Sequence, residues 1–319
     1  MIQQFSDWVT YDILSLIRGT EVANSVNFFV YDSVKIMFLL IVITHFVGVL
    51  RHYLPVEKIK TFLTSRKFFG LDYFLATIFG AVSPFCSCSS VPLFIGFVEA
   101  GIPLGVTFAF LITSPLINEV ALALFVSVFG WKIAGTYLVS GVAIGMVGGF
   151  VLGKLKMERY IEDYVWRMKE KKKAIEFESK KFSWDVAKSV SKKAMKIVKK
   201  VGPYVLIGVG VGAFIHGYVP EGFFEKYITK ENPFAVILAV ILAVPLYSNA
   251  SGAIPIIQSL VDKGVPLGTA LAFMMAIVGL SFPEALILRR VMKIPLLVTF
   301  FGIVATGIIL IGYIFNLIF

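Results

Sequence analysis

The only two cysteines of the chain, Cys86 and Cys88, stand one residue apart in Ser83-Pro84-Phe85-Cys86-Ser87-Cys88-Ser89-Ser90-Val91-Pro92, a polar stretch inside an otherwise apolar run. Thiols are soft ligands and nucleophiles, so such a pair can hold one thiol-loving centre or cycle to a disulfide, whereas hard ions such as Mg²⁺ prefer oxygen. Residues i and i+2 project to opposite sides of an α-helix and to the same side of an extended segment. The two sulfurs therefore act jointly only if the helix is broken between the prolines. An extended pair spans close to the upper Cα separation of about 6.8 Å that a disulfide accepts. Packing as small hydrophobes is the plain alternative.

The other candidate residues lie in similar breaks. Ser89 or Ser90 suits the N-cap of a short helix that tolerates Pro92 in its early turn. The positive end of that helix would then face the cysteines, favouring thiolate, while apolar burial opposes it. Pro245-Leu246-Tyr247-Ser248-Asn249-Ala250-Ser251-Gly252 offers hydroxyls and an amide in place of thiols. With Ser87, these residues form the expected polar wall of a binding site. Glu119 follows Thr113-Ser114-Pro115-Leu116-Ile117-Asn118, and Glu284 follows Gly279-Leu280-Ser281-Phe282-Pro283. An acid at the centre of a membrane helix costs about 2.5 to 3.5 kcal/mol, so both should face the interior, either carrying protons or holding a kinked backbone together. His45 reads as a packing residue. Three histidines in all, with no Cys/His spacing, predict neither a metal site nor a cofactor.

The elements that must position these groups are membrane helices. The 319 residues are 58% hydrophobic and 16% charged, with a mean hydropathy of +0.86. The net charge of +10 is concentrated in residues 154–200, where 16 Lys/Arg face 7 Asp/Glu. It therefore reads as a cytoplasmic loop, and nucleic-acid binding is not expected. No basic start followed by an apolar run opens the chain, so the first span is expected to do the targeting.

Residues 3–17 show apolar spacing suited to a helix in the membrane interface. A span at 29–50 leads to the basic stretch Arg51–Lys67, and apolar runs follow at 71–99, 104–129 and 131–153. Three crossings cannot join two cytoplasmic loops, so the run cut by Pro84 and Pro92 is predicted to enter and leave on one side. After a predicted basic amphipathic helix at 183–200, a span at 201–219 and an external loop at 220–233, the pattern recurs. Runs at 234–261 and 267–288 end at Arg289, Arg290 and Lys293, and a last span covers 294–318.

A shift of 163 positions pairs Pro92, Val98, Gly101, Pro103, Leu104, Gly105, Ala109 and Phe110 with Pro255, Val261, Gly264, Pro266, Leu267, Gly268, Ala272 and Phe273. It also places Asn249 and Ser251 opposite Cys86 and Cys88. Such a shift implies duplication. The expectation is an all-α polytopic membrane protein with an inverted-topology repeat, each half having three spanning helices and a proline-broken re-entrant hairpin. Its units are an interfacial helix (1–28), a first membrane repeat (29–153), a basic cytoplasmic loop (154–200) and a second repeat (201–319). Both termini are expected outside a cell (inner, cytoplasmic) membrane.

The Ser83–Pro92 motif, followed by Gly101-Ile102-Pro103-Leu104-Gly105 and the companion Leu267-Gly268 repeat, resembles the ArsP-type predicted permeases over essentially all of the membrane-spanning part. That resemblance implies a permease and, as the family is associated with export of trivalent organoarsenicals, makes Cys86 and Cys88 candidate arsenic-contacting residues. The leading expectation is a secondary transporter, not an enzyme, that moves a small, possibly thiol-reactive solute by alternating access at a midplane site. The alternatives are a membrane thiol-redox or sulfur-handling protein using the Cys-x-Cys pair, and a structural subunit of a larger assembly. The lipid bilayer and a small-molecule substrate are the expected partners, with the oligomeric state open.

Overall fold

A computed structural model describes residues 2–53, 70–83, 87–117, 119–162, 165, 184–218, 232–246 and 250–319. Within them the chain is helical: α1 (Ile2–Asp7), α2 (Glu21–Tyr53), α3 (Leu71–Val82), α4 (Ser87–Ala100), α5 (Leu104–Leu116), α6 (Glu119–Lys154), α7 (Trp184–Tyr218), α8 (Ala235–Ala243), α9 (Ala250–Asp262), α10 (Leu267–Gly279), α11 (Phe282–Leu288) and α12 (Ile294–Ile318). Four stretches among the described residues are long and apolar enough to cross a membrane: Glu21–Phe46, Leu122–Lys154, Leu267–Leu288 and Ile294–Ile318. The protein is thus an all-helical, multi-pass membrane protein.

The second of these stretches is not a single rod. Gly130 sits at φ 80°, ψ 170°, a conformation that glycine adopts without strain. Phe125 stacks on Tyr137 with ring centroids 4.8 Å apart, where twelve residues of straight helix would separate them by about 18 Å. The chain therefore doubles back at Gly130, leaving 131–154 as the crossing segment.

Contacts fix the direction of the short helices. Ser90 meets Ser114, Phe94 meets Phe108 and Phe97 meets Phe110, so α4 runs antiparallel to α5. A Cβ on Gly105 would touch the Tyr73 hydroxyl and one on Gly80 the Phe110 carbonyl, so α3 runs parallel to α5. The chain reverses between α3 and α4, at the proline-cysteine motif. Helices of 12 and 14 residues reach only about 18 and 21 Å, well short of a hydrocarbon core of roughly 30 Å.

The helix boundaries repeat. From Leu104 to Leu267 the offset is 163, and the same offset carries the end of α5 at Leu116 to the end of α10 at Gly279 and the left-handed Gly101 to Gly264. It also carries Gly130, the break in α6, to Lys293, which precedes α12. Packing follows the same pairing. Equivalent helices lie against each other (α2 on α7, α5 on α10, α6 on α12), and non-equivalent ones cross over, with α4 on α11 and α9 on α6.

Small residues allow the closest of these approaches. A Cβ on Gly149 would lie 2.6 Å from Ala109 Cβ and 2.7 Å from the Gly105 carbonyl oxygen. In the second half, a Cβ on Gly312 would lie 2.9 Å from Ala272 Cβ, and one on Gly268 would collide with the Gly312 carbonyl. Here Asn316, at the position matching Gly153, adds a bond from its Nδ2 to Thr269 Oγ1 at 2.9 Å. Close backbone approach at small residues is how membrane helices associate without a hydrophobic drive between them.

Two segments differ from expectation. The basic stretch 183–200 is no separate helix on the leaflet, because α7 runs unbroken for 35 residues through Pro203. Ala194 and Val198 are buried, and His45 Nε2 meets Ser191 Oγ at 3.1 Å, so the basic part of α7 packs along α2. At the start, α1 gives way to a π-helical turn over Trp8–Ile13 and ends at Ser15, φ 52°, so the helix expected over 3–17 is shorter and widens in its second half. Its Trp8, Ile13 and Ile17 remain exposed.

Overpacking such a contact costs about 1–3 kcal/mol. Gly149→Ala and Gly268→Ala should each lower the detergent-phase melting temperature, whereas Gly302→Ala, with nothing within 4 Å of the new methyl, should leave it unchanged or raise it.

Candidate functional site

Three helix breaks follow α3, α5 and α10, the last two meeting where Gly279 lies against Leu116, and each must satisfy the backbone groups it frees. At the first, Ser83 is extended (φ −82°, ψ 130°), and its hydroxyl donates back to the Gly80 carbonyl at 2.9 Å. Beyond the reversal, α4 begins at Ser87, two to three residues earlier than a cap at Ser89 or Ser90 allows. Ser90 is fully buried, and its hydroxyl bonds across to the Ser114 hydroxyl at 2.7 Å. It therefore ties α4 to α5 instead of capping its own helix. Pro92 consequently falls inside α4 and not in its first turn.

The second break ends α5. Ile117 is extended (φ −117°, ψ 117°), which releases the Leu116 carbonyl from the helical ladder. The fully buried Tyr137 hydroxyl donates to that carbonyl. The third break, between α10 and α11, is solved differently. Phe282 N–H donates to the Val244 carbonyl at 2.8 Å, joining the end of α8 to the start of α11. Ser281 caps α11, its hydroxyl accepting from Glu284 N–H at 3.4 Å with Pro283 in the first turn. Ser281-x-x-Glu284 is a capping-box spacing, a signal that was present in the sequence.

Glu284 is 3% exposed. Its place in the first turn of α11, at the positive end of the helix, suits a carboxylate. Glu119 opens α6, and its side chain lies outside the described residues, as do those of Ser87, Cys88, Ser89 and Ser251. By backbone, Ser87, Cys88 and Ser89 lie within α4, and Ser251 lies within α9. Cys86, Tyr247, Ser248 and Asn249 lie outside the described residues altogether. Helix packing sets α4 beside α11, which carries Glu284, and α9 beside α6, which begins with Glu119. Each short arm thus lies against the acid-bearing helix of the other half.

The sequence reading passed over Asp32, a 9% exposed carboxyl beside the buried Ser33 within α2. An acid inside a predicted span was its signal. No group of three His, Cys, Asp or Glu that could hold a metal ion occurs among the described residues.

The ArsP-type family of predicted permeases matches residues 21–317, nearly the whole chain. The UPF0718 protein MJ0584 of Methanocaldococcus jannaschii is 22% identical, over 79% of this chain and 85% of its own length. A Streptococcus mutans protein named as a two-component membrane permease complex subunit is 25% identical, over 80% of this chain and 79% of its own. No solved structure matches significantly.

A buried acceptor stripped of its donor costs about 1–3 kcal/mol. Phe300 occupies the position matching Tyr137 in the second half, so a ring without a hydroxyl fits this packing. Tyr137→Phe should therefore lower thermal stability, while Tyr313→Phe, which loses an exposed bond to the Pro233 carbonyl, should not. Equal melting of the two would remove the carbonyl-capping role.

Proposed function

Because the chain belongs to the ArsP-type predicted permease family and is a membrane transporter, we propose that it is a secondary transporter working by alternating access around a site at the membrane centre. The observation that carries this reading is the pairing of the two halves: helix bounds recur at one fixed offset, and the short helices α4 and α9 each pack against a helix of the opposite half. Read with the basic loops at 51–67 and 154–200 inside, α3–α4 is a re-entrant hairpin from the cytoplasm and α8–α9 its inverted counterpart from outside.

Contacts at the two faces support this orientation. Lys293 N–H donates to the Tyr160 carbonyl at 2.7 Å, setting two basic, cytoplasmic segments side by side. At the other face, Lys132 lies 5.2 Å from the Phe319 ring. Both termini then lie outside a cytoplasmic membrane.

The site takes its walls from the two reversals. Cys86 and Cys88 contact a soft solute, with a trivalent organoarsenical as the chemical type. Ser87, Ser89 and Ser90, together with Tyr247, Ser248, Asn249 and Ser251, supply polar contacts. A half-helix N-terminus directed at the membrane centre favours the thiolate form that binds such a centre. Glu119 and Glu284 couple protons, each on a helix packed against the opposite arm. In this reading no covalent turnover occurs, and the protein is not an enzyme. The relative named as a complex subunit suggests work alongside a second membrane component.

Proteoliposome uptake of a trivalent methylarsenical tests the thiol role. C86S/C88S should abolish uptake at an unchanged melting temperature. Undiminished uptake by that variant would remove the cysteines from the site, and a mixed disulfide trapped during turnover would favour thiol exchange over transport.

A further inference from the structure

Where α6 ends, Leu155, Lys156, Met157, Arg159, Tyr160 and Thr299 line a cleft of about 360 Å³. Lys156 takes a left-handed conformation, φ 48°, which stops the helix and starts the 3₁₀ turn Glu158–Tyr160. In that turn the Arg159 guanidinium lies over the Tyr160 ring, 4.8 Å from its centroid. Both cations are exposed. Glu158 is the acid of the same turn, while Glu162 is engaged by Arg289 at 3.0 Å. Exposed apolar side chains adjoin the cleft: Leu155 is 50% exposed, and on the helix α12 that carries Thr299, Ile294 and Val298 are 58% and 64% exposed. A soluble anion would use only the cations. The adjoining apolar surface suits a molecule with acyl chains as well.

We propose that this cleft binds the phosphate headgroup of an anionic phospholipid, held by Lys156 and Arg159 with its chains along Leu155, Ile294 and Val298. The site reaches the transport machinery through the backbone. Tyr160 accepts from Lys293 N–H at 2.7 Å, and Glu162 N–H donates to the Val291 carbonyl at 2.9 Å, so the cleft wall is bonded to the turn between α11 and α12. A bound headgroup braces that clasp, and with it the helix that carries Glu284. This inference rests on the cleft and its apolar border and stands independently of the transported solute.

The test is thermal unfolding of the full chain in nanodiscs of phosphatidylcholine with or without phosphatidylglycerol. Phosphatidylglycerol should raise the melting temperature by several degrees, as a ligand of the folded state does, and inorganic phosphate in the buffer should not. K156G/R159Q should melt like the unaltered protein in pure phosphatidylcholine and lose most of the rise, since glycine adopts the turn's backbone without strain. K188Q/K192Q, on the basic end of α7, should keep the rise. Retention of the full rise by K156G/R159Q, its loss in K188Q/K192Q, or its reproduction by phosphate would overturn the proposal. If R159Q itself lowers melting in phosphatidylcholine, K156G alone decides between the same outcomes.

Discussion

The structure depends on one constraint: a backbone N–H or C=O released inside a bilayer has no water to bond and must find a partner in the protein. The described breaks are each closed by a specific group. The Tyr137 hydroxyl takes the Leu116 carbonyl, the Val244 carbonyl takes Phe282 N–H, and the Ser281 hydroxyl takes Glu284 N–H. Tyr137 and Val244 come from other helices or their ends, so those two breaks persist only while the helices around them stay packed together, whereas Ser281 serves its own helix. Glycines at 105, 149, 268 and 312 permit that packing. Interrupted helices are thus maintained at the level where a solute could be bound, by contacts that are themselves structural.

The two halves share their scaffold and differ in chemistry. The offset of 163 that carries Leu104 to Leu267 places Tyr137 opposite Phe300 and Gly130 opposite Lys293. It also sets the cysteines against Asn249 and Ser251. A shared framework with unlike side chains gives a site that need not treat its two faces alike. The turn after α11 is bonded to the segment leaving α6, whereas its counterpart is a single glycine. The packed faces therefore differ in how firmly they are tied.

Much of the helical plan was legible because apolar run length and proline position are local properties. The runs at 104–129 and 131–153, and the offset itself, could be read without any tertiary information. What escaped depended on remote contacts. Ser90 looked like a cap from its own neighbourhood, and only Ser114, brought over by the turn at Gly101, explains its buried hydroxyl. The lysines of 183–200 suggested a surface helix, whereas burial of Ala194 and Val198 against α2 makes them the end of a longer one. Pro203 lies inside that helix, since membrane helices absorb proline when neighbours satisfy the freed carbonyl. Ser281-x-x-Glu284 was readable as a cap, in which the Ser281 hydroxyl takes the Glu284 N–H.

Alternating access around the proline-cysteine break is tested most directly by the reactivity of native Cys86 and Cys88 toward a membrane-impermeant thiol reagent. The reagent is applied to right-side-out and to inside-out vesicles of the unaltered protein. A midplane site opening to each side in turn predicts modification from both faces, slowed from both by a bound trivalent arsenical. Modification from one face only, whatever the solute, would contradict it.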